Sequence, residues 1–415
     1  MKKEDLRFII SLLALLVYEV AFIVFGLDGL SVSKLFFTGL VWVSFFISAY
    51  EFVIRNNRLK KNIPNTAYVI LICLLIWNVI NICRSLITGD GSITTILGNV
   101  AAVLSVLVPF VIIFSVEQRN LKIIHSYFTK VLKVTAPVFL ILLVFYGISL
   151  SDVQLRTLLV LFLPVAFLIT GLPFYSKKDR ILVLVCAFLL VCVASLHSVR
   201  TMMIREILLF LSLLAVFIYA KFKQRWVLKI SCLVLLIPVF LLQQSFVTGQ
   251  SAFDTYLSGS SDSDLSIDTR TFLYVELLED LQNTNRMLIG KGANGSYFSE
   301  YFNSLGEDET DTRNNIEVGI LGLLLKGGLI AVFLNLAILI IAIYVAFFRS
   351  RNRYIVGIGY VLLIHTFLLF LENYIVYSGY NYAIWFFTGV CLSKKLRSMN
   401  NIEIKLLIQG KRMIR

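Results

Sequence analysis

Charged residues are scarce in this sequence, and long apolar runs take their place. Only 15% of the 415 residues are charged, whereas 58% are hydrophobic, and a soluble domain would carry about 25% charged residues. Runs of about 20 apolar residues recur along the chain, each long enough to cross a bilayer core. The composition excludes an ordinary soluble enzyme and predicts an all-α, polytopic integral membrane protein. Transmembrane β-strands would be shorter and would alternate apolar with polar residues.

Metal-ligating patterns are also lacking. All six cysteines lie inside apolar runs and none forms a CxxC pair, which argues against a disulfide framework and a metal site. The acidic run at 262–268 lacks the glycine and the terminal glutamate of a calcium loop. We therefore expect no metal and no other cofactor.

The apolar runs predict about twelve transmembrane helices. They lie near residues 7–26, 33–53, 67–87, 95–116, 134–150, 157–174, 181–198, 203–220, 226–246, 328–348, 354–372 and 376–393. The first run lacks a small-residue cleavage site, so we interpret it as a retained span and not a signal peptide. With both termini in the cytoplasm, 28 of the 38 basic residues lie inside, as the positive-inside rule favours. The net charge of +13 then reflects topology and not nucleic-acid binding.

One long polar segment separates the ninth and tenth predicted spans. The predicted division is helices 1–9 in 1–246, a large extracytoplasmic loop in 247–327, helices 10–12 in 328–393 and a basic cytoplasmic tail in 394–415. The loop holds 13 of the 25 acidic residues, and loops of this length are usually functional. Its middle has the apolar spacing of a helix at Phe272, Val275, Leu278 and Leu281.

Glycines mark two further features of this region. "GKGANG" at 290–295 resembles a phosphate-binding loop only superficially, because it lacks the GK[ST] ending, and we interpret it as a turn. The apolar run after the loop is too long for one upright span. The Gly327–Gly328 pair predicts a break there, with a shorter helix before it at the outer interface.

Arginine dominates the basic residues on the predicted outer side. Seven of the ten are arginine: Arg84, Arg156, Arg200, Arg205, Arg270, Arg286 and Arg313. Arginine binds phosphate through paired hydrogen bonds and stays charged at a low-dielectric boundary. Arg200 and Arg270 each precede a threonine where a helix begins, and free backbone N–H groups there add to anion binding. The alternative is that each side chain reaches to solvent or pairs with an acid, as Arg205 would with Glu206.

Candidates for a general base are few. Glu317 and His197 both lie near the predicted outer boundary. Asn314 and Asn315 precede Glu317 as candidate ligands, and helix capping is the alternative for them. Polar residues inside or at the edge of spans are expected to face the bundle interior: Glu19, Asn78, Asn81, Glu372 and, as a packing residue or bundle hydrogen bond, His365.

Three stretches, in this order, resemble the O-antigen polymerase and O-antigen ligase superfamily. They are "SLHSVRT" before an apolar span, "DTRTFLYVELLEDLQNTNRMLIGKG" in the loop, and "NNIEVGILGLLLKGGLI" at the loop exit. The resemblance covers the whole chain in layout and these stretches in motif. Val199 replaces the family's usual small residue. The loop exit reads "RNNIE" without the histidine of the ligases, which argues against a lipid A-core ligase and leaves the base open among Glu317, His197 and none.

The resemblance implies polymerisation of lipid-linked repeat units on the outer face of the bacterial cytoplasmic membrane, without metal or nucleotide. An acceptor hydroxyl attacks the anomeric carbon of a glycan on undecaprenyl pyrophosphate, and the lipid pyrophosphate leaves. Arg200 and Arg270 would stabilise its charge as catalytic residues. Further expected ligands are Arg205, Arg313, Arg286, Arg84, Asn314 and Asn315. Expected partners are the lipid-linked oligosaccharide, the bilayer, a flippase and a chain-length regulator, and no nucleic acid. A ligase and a lipid-linked oligosaccharide flippase are the alternatives.

Overall fold

The fold is helical almost throughout the part of the chain that the computed structural model describes. These residues are 3–25, 32–87, 103–146, 161–196, 200–222, 226–233, 236–237, 271–299, 312–314 and 316–411. Within them the strands are two short antiparallel ones, β1 (Tyr297–Phe298) and β2 (Thr312–Arg313). The all-α prediction is confirmed.

The described helices range from 5 to 31 residues in length. In chain order they are α1 Lys3–Phe25, α2 Val32–Asn62, α3 Asn65–Ile87, a first 3-10 helix Leu104–Val116, α4 Gln118–Tyr146, a second 3-10 helix Ile169–Phe174, α5 Lys177–Leu196, α6 Arg200–Phe222, α7 Trp226–Cys232, α8 Thr271–Asn283, α9 Gly319–Arg349, α10 Arg353–Leu368, α11 Gly379–Leu392, α12 Lys394–Ser398 and α13 Asn401–Gln409. The second 3-10 helix ends an apolar helical segment that begins at Leu161.

Several helices are long and apolar enough to cross a membrane. Within the described residues these are four: Lys3–Ile23, Phe36–Asn62, Asn65–Ile87 and Gly319–Arg349. A fifth crossing results if the first 3-10 helix and α4, which meet at a bend of 116°, form one span. A multi-pass membrane protein fits these lengths. The full set of twelve spans stays a prediction, because other helices such as α10 and α11 are only 16 and 14 residues long.

The outer faces of the helices are apolar. Val53 on α2 is 76% exposed and Ile87 on α3 is 82% exposed, and Phe188 and Phe217 on α5 and α6 are exposed as well. Soluble proteins rarely expose contiguous apolar surface on this scale. An apolar surface of this kind fits a multi-pass membrane protein, in which it would face lipid acyl chains.

The first 3-10 helix is the central element of the bundle. Its 13 residues are nearly all buried, and Pro109 lies inside it. A 3-10 helix rises about 2.0 Å per residue, so this segment extends about 26 Å. That length is close to the thickness of a bilayer core, about 30 Å. The tighter winding lets a short segment reach almost across the bundle.

Most of the apolar interior lies in two clusters that meet at a break in α9. The larger cluster joins α1–α6, both 3-10 helices, α10, α11 and the part of α9 after the break. The smaller one joins α8, Tyr297 and the first part of α9 as far as Leu325. Gly328 lies between them with φ 66° and ψ −168°, outside helical values. The break predicted at Gly327–Gly328 is confirmed.

The loop helix α8 exists as predicted, but its buried face differs. The expected face held Phe272, Val275, Leu278 and Leu281, whereas Val275 is 40% exposed. The buried residues are Leu273, Tyr274, Leu277 and Leu281. The Tyr274 hydroxyl donates a hydrogen bond to the Phe370 carbonyl oxygen at 2.7 Å. Because of this contact with a distant segment, the buried face of α8 lies about one residue away from the face that the apolar spacing predicts.

Ion pairs gather at one end of the bundle. Arg55 contacts Glu4 at 2.6 Å and Glu51 at 2.8 Å, and Arg58 contacts Glu117 at 3.2 Å. The end of α3, the start of α6 and the break in α9 lie at the opposite end, where the candidate site is found. Which end faces the cytoplasm stays a prediction.

Candidate functional site

The structure describes part of the predicted site. The side chains that lie outside the described residues are those of Arg156, His197, Arg200, Arg270 and Asn315; the backbone of Arg200 begins α6. The described ones are Arg84, Arg205, Arg286, Arg313, Asn314 and Glu317. These six do not converge on one place.

Of these six residues, Arg205 lies deepest in the protein interior. It is 1% exposed, and its Nη1 donates a hydrogen bond to the Tyr374 hydroxyl oxygen at 2.7 Å. Its guanidinium carbon lies 3.5 Å from the centre of the Phe162 ring, a cation–π contact. Its Nε and Nη2 have no hydrogen-bond partner among the described residues. The expected alternative of reaching to solvent is therefore wrong, and among the described residues no hydrogen bond joins Arg205 to Glu206.

Acidic and aromatic side chains surround this guanidinium. The Tyr374 hydroxyl donates a hydrogen bond to Glu372. Both carboxylate oxygens of Glu206, which is 1% exposed, lack a partner among the described residues. The Tyr374 and Tyr380 rings lie 5.1 Å apart. We name Phe162, Arg205, Glu206, His365, Glu372, Tyr374 and Tyr380 the Arg205 cluster.

His365 connects the Arg205 cluster to a second polar region. Its ring centre lies 5.7 Å from that of Tyr380, and its Nδ1 has no partner among the described residues. It also lines an interior cavity of about 20 Å³ that Asn78, Asn81 and Asn381 line as well. Such a space holds about one water molecule. A buried polar path therefore leads inward from the cluster, but it does not accommodate a sugar.

The loop exit packs against the segment that carries Glu372. The Ile320 amide donates to the Leu369 carbonyl oxygen at 2.8 Å, and the Gly319 amide donates to the carbonyl oxygen of Glu372 at 3.2 Å. Glu317 is exposed just before this contact. The N-cap of α9 is Val318, without a side-chain bond, so capping by Asn314, which is exposed, is wrong.

Arg313 belongs to the small sheet of the loop and is half-buried there. It pairs with Tyr297 across β1 and β2. Burial raises the pKa of the Tyr297 hydroxyl to about 12, while the positive charge of Arg313 opposes the shift. Nearby, the Ser299 hydroxyl donates to Glu276 at 2.7 Å. Arg313 therefore forms part of the loop's own structure.

Arg84 holds the glycine-rich turn. Its Nη1 and Nη2 donate to the carbonyl oxygens of Ile289 and Gly290, each at 2.7 Å. The Lys291 amide then donates to the carbonyl oxygen of Leu325 at 2.7 Å. The interpretation of "GKGANG" as a turn is confirmed, and the turn is seated in the break of α9. Arg286 precedes it and is exposed.

Three members of the Arg205 cluster were missed by sequence reasoning. Phe162, Tyr374 and Tyr380 are aromatic residues in or beside apolar runs, where packing is the usual role. The segment "ENYIVYSGYNY" at 372–382 carried a usable signal, because tyrosine and asparagine are concentrated where one predicted span ends and the next begins. Aromatic residues with a polar end are typical of such boundaries.

The Arg205 cluster combines three kinds of group that can bind a polar ligand: a guanidinium, carboxylates and aromatic rings. A guanidinium with free donors binds an oxyanion. Carboxylates accept hydrogen bonds from hydroxyl groups, and aromatic rings offer apolar faces of fixed orientation. Among the described residues, no group of three or more His, Cys, Asp or Glu side chains is placed to hold a metal ion.

Comparison of the chain with protein-family models, with curated proteins and with solved structures gives no match. The resemblance to the O-antigen polymerase and ligase superfamily therefore stays an expectation from the three sequence stretches.

Proposed function

We propose that the chain is a polysaccharide polymerase that joins oligosaccharide repeat units linked to undecaprenyl pyrophosphate, on the outer face of a bacterial cytoplasmic membrane. The observation that carries the proposal is the buried Arg205 guanidinium with two donor nitrogens free among the described residues. The three sequence stretches that resemble the polymerase superfamily support the choice of substrate.

Energetics support a ligand at this position. A buried donor without a partner costs about 1–3 kcal/mol, and more when the group is charged. Among the described residues, Arg205 leaves two such donors and Glu206 two such acceptors. A pyrophosphate oxygen on the guanidinium and a sugar hydroxyl on the carboxylate would satisfy both kinds of group.

The proposed reaction assigns a role to each group. The hydroxyl oxygen of the acceptor sugar forms a bond to the anomeric carbon of the donor, and the bond from that carbon to the pyrophosphate oxygen breaks. Arg205 stabilises the negative charge that the leaving pyrophosphate gains, together with the predicted catalytic residues Arg200 and Arg270. The hydroxyl proton passes to the Glu206 carboxylate, and Glu317, His197 and water remain the alternative acceptors.

A flippase for the same lipid-linked units is the second candidate. One observation favours it: polar residues on α3, α9, α10 and α11 line the interior cavity beside His365. Transporters place such residues near the middle of the membrane. The cavity volume of about 20 Å³ opposes this function, because a translocation path for a sugar needs far more space.

The test is the size of the lipid-linked glycans in a strain that lacks this chain. A polymerase defect leaves single repeat units on the lipid carrier at the outer leaflet. Long glycans left on the carrier would instead indicate a ligase, and single units confined to the inner leaflet would indicate a flippase. Either of these two results overturns the proposal.

Expression of variants in the strain that lacks the wild-type chain tests the site. Arg205→Ala should give membrane-inserted protein but about a hundredfold less polymer, the magnitude of losing one stabilising donor of a developing charge. Arg205→Lys keeps the charge without the paired hydrogen bonds and should restore only part of the activity. Arg351→Ala, an exposed arginine at the opposite end, is the matched control and should leave glycan length unchanged. Polymer of normal length and amount with Arg205→Ala would show that Arg205 is not part of the site.

A further inference from the structure

A cleft lined by basic side chains opens at the end of the bundle away from the Arg205 cluster. Three elements form it: the end of α2, the junction between the first 3-10 helix and α4, and the start of α12. Its volume is about 510 Å³. We name it the basic cleft after the side chains that line it: Arg58, Lys61, Arg119, Lys394 and Lys395.

The charge of the basic cleft is poorly balanced by the protein. The carboxylate that lines it is Glu117, and this group is engaged by Arg58 at 3.2 Å and by Arg55 at 3.8 Å. Among the described residues, Lys61, Arg119, Lys394 and Lys395 form no ion pair. Other basic residues do find carboxylates, as Lys133 does with Asp179 at 3.1 Å. Four cations therefore share one space with a single carboxylate, which two other arginines already engage.

Hydrogen bonds hold the two main walls of the basic cleft together. The Asn62 side-chain amide donates to the Ser393 hydroxyl oxygen at 3.0 Å, and its carbonyl oxygen accepts from the Lys395 amide at 3.4 Å. The Lys394 ammonium donates to the Lys61 carbonyl oxygen at 3.5 Å. The cations are thus brought together by the fold before any ligand arrives, which lowers the cost of binding.

The basic cleft lies at the level where lipid head groups would be. Val53 and Ile54 on α2 are 76% and 57% exposed apolar side chains about one helical turn before Arg58. They belong to the surface that faces acyl chains. Polar and basic residues follow immediately, from Arg55 onward. An acyl chain lying along the apolar part of α2 would place its head group beside the basic cleft.

From this placement we propose that the basic cleft binds the phosphodiester head group of an anionic phospholipid. Lysine ammonium groups attract the phosphate as point charges, and Arg119 can donate two parallel hydrogen bonds to it. Basic pockets between helices at the membrane face recognise phospholipid head groups in this way. The site is independent of the proposed polymerase reaction, since its residues lie at the other end of the bundle.

The experiment uses the full chain purified in a neutral detergent. Native mass spectrometry measures the binding of phosphatidylglycerol, with phosphatidylcholine as the neutral reference. The wild-type chain should retain phosphatidylglycerol at least tenfold more tightly than phosphatidylcholine. Lys394→Gln combined with Lys395→Gln should abolish most of this preference. Equal retention of the two lipids by the wild-type chain would overturn the proposal.

Two controls separate a specific site from general charge attraction and from misfolding. Lys229→Gln combined with Lys405→Gln removes the same charge from exposed positions outside the basic cleft, and it should change the affinity less than twofold. The pair Lys394→Arg and Lys395→Arg should retain binding. A control pair that loses as much affinity as the cleft pair would overturn the proposal.

A third arm distinguishes a lipid from a soluble phosphate. Glycerol phosphate carries the same phosphate group without acyl chains. It should fail to displace phosphatidylglycerol at equal concentration, because the lipid also contacts the apolar surface of α2. Full displacement by glycerol phosphate would assign the basic cleft to a soluble anion and overturn the lipid assignment.

Discussion

Arg84 and Arg205 have the same charge and a similar sequence setting, yet their guanidinium groups differ in how many donors are already hydrogen-bonded. Arg84 follows an apolar run and Arg205 stands at the start of one, and both lie at the same end of the bundle. Two donors of Arg84 are bound by backbone carbonyl oxygens at 2.7 Å. Two donors of Arg205 find no partner among the described residues, although it is buried. What a guanidinium can bind depends on which of its donors the fold has already used.

Arg84→Ala should destabilise the protein without touching the Arg205 cluster. It leaves the carbonyl oxygens of Ile289 and Gly290 without their charged donor, at about 1–3 kcal/mol for each group that stays buried. We expect the thermal midpoint of the purified protein to fall by about 2 °C or more. Arg84→Lys should not restore it, because one ammonium group cannot replace two parallel donors. Arg286 is an exposed neighbour, and Arg286→Ala should leave the midpoint unchanged. An equal fall with Arg286→Ala would show that the hydrogen bonds from Arg84 to the turn are not the cause.

At the residue scale, the sequence identifies the kind of side chain but not its partners. Arg205 was recognisable as an outer arginine, and Glu372 as a residue facing the bundle. Their connection through the Tyr374 hydroxyl depends on packing between α6 and the segment after α10. Arg205 and Tyr374 are 169 residues apart along the chain. No local pattern encodes such a contact. Tertiary packing therefore decided the composition of the cluster.

The break in α9 is the element on which the loop depends. The first part of α9 packs with α8 in one apolar cluster, and the second part packs with the bundle in the other. The glycine-rich turn fills the break: the Gly292 amide donates to the Lys326 carbonyl oxygen at 3.0 Å, and the Leu329 amide donates to that of Met287 at 3.0 Å. The turn thus satisfies backbone groups that the break would leave unpaired.

Gly328→Ala should release the turn from this break. The φ and ψ values of Gly328 lie in a region that is nearly restricted to glycine, and an added Cβ would collide with the carbonyl group of Leu288. We expect a loss of about 1–3 kcal/mol and faster tryptic cleavage after Lys291, which the wild-type turn holds in an ion pair with Asp280 at 2.6 Å.

Gly322→Ala is the matched control for Gly328→Ala. Gly322 lies in the same helix, where an added Cβ would meet only the Asn373 amide nitrogen, at 3.7 Å. Alanine is a better helix former than glycine, so stability and cleavage after Lys291 should stay the same or improve. Equal damage from both substitutions would show that the break is not the cause.

At the scale of helices and turns, prediction from the sequence succeeded where a local cause exists. Gly327–Gly328 marks the break because glycine alone adopts that backbone conformation. The buried face of α8 was placed about one residue away from the observed one, because two apolar stripes of similar strength lie side by side on it. The contact from Tyr274 to Phe370 selects between them. The choice depends on a distant partner and not on spacing.

Charge is distributed unevenly between the two ends of the whole molecule. Arg58, Lys61, Arg119, Lys394 and Lys395 meet at one end, and the turn and the Arg205 cluster lie at the other. The positive-inside rule favours the basic end in the cytoplasm, where anionic lipids attract each basic residue by about 1 kcal/mol. The charges of the loops predict this orientation from the sequence. The structure shows in addition that basic residues from separate loops converge at one end of the bundle.

Orientation is measurable by fusing alkaline phosphatase, which is active only outside the cytoplasm, at two positions. A fusion after Asn283, at the end of α8, should be active, and a fusion after Arg415 should be inactive. The expected contrast is at least tenfold, with a cytoplasmic reporter at the same positions as the reciprocal control. Activity after Arg415 and none after Asn283 would place the Arg205 cluster in the cytoplasm, away from undecaprenyl-linked units on the outer leaflet. The proposed polymerase function requires the first pattern, because its leaving pyrophosphate must meet Arg205 at that face.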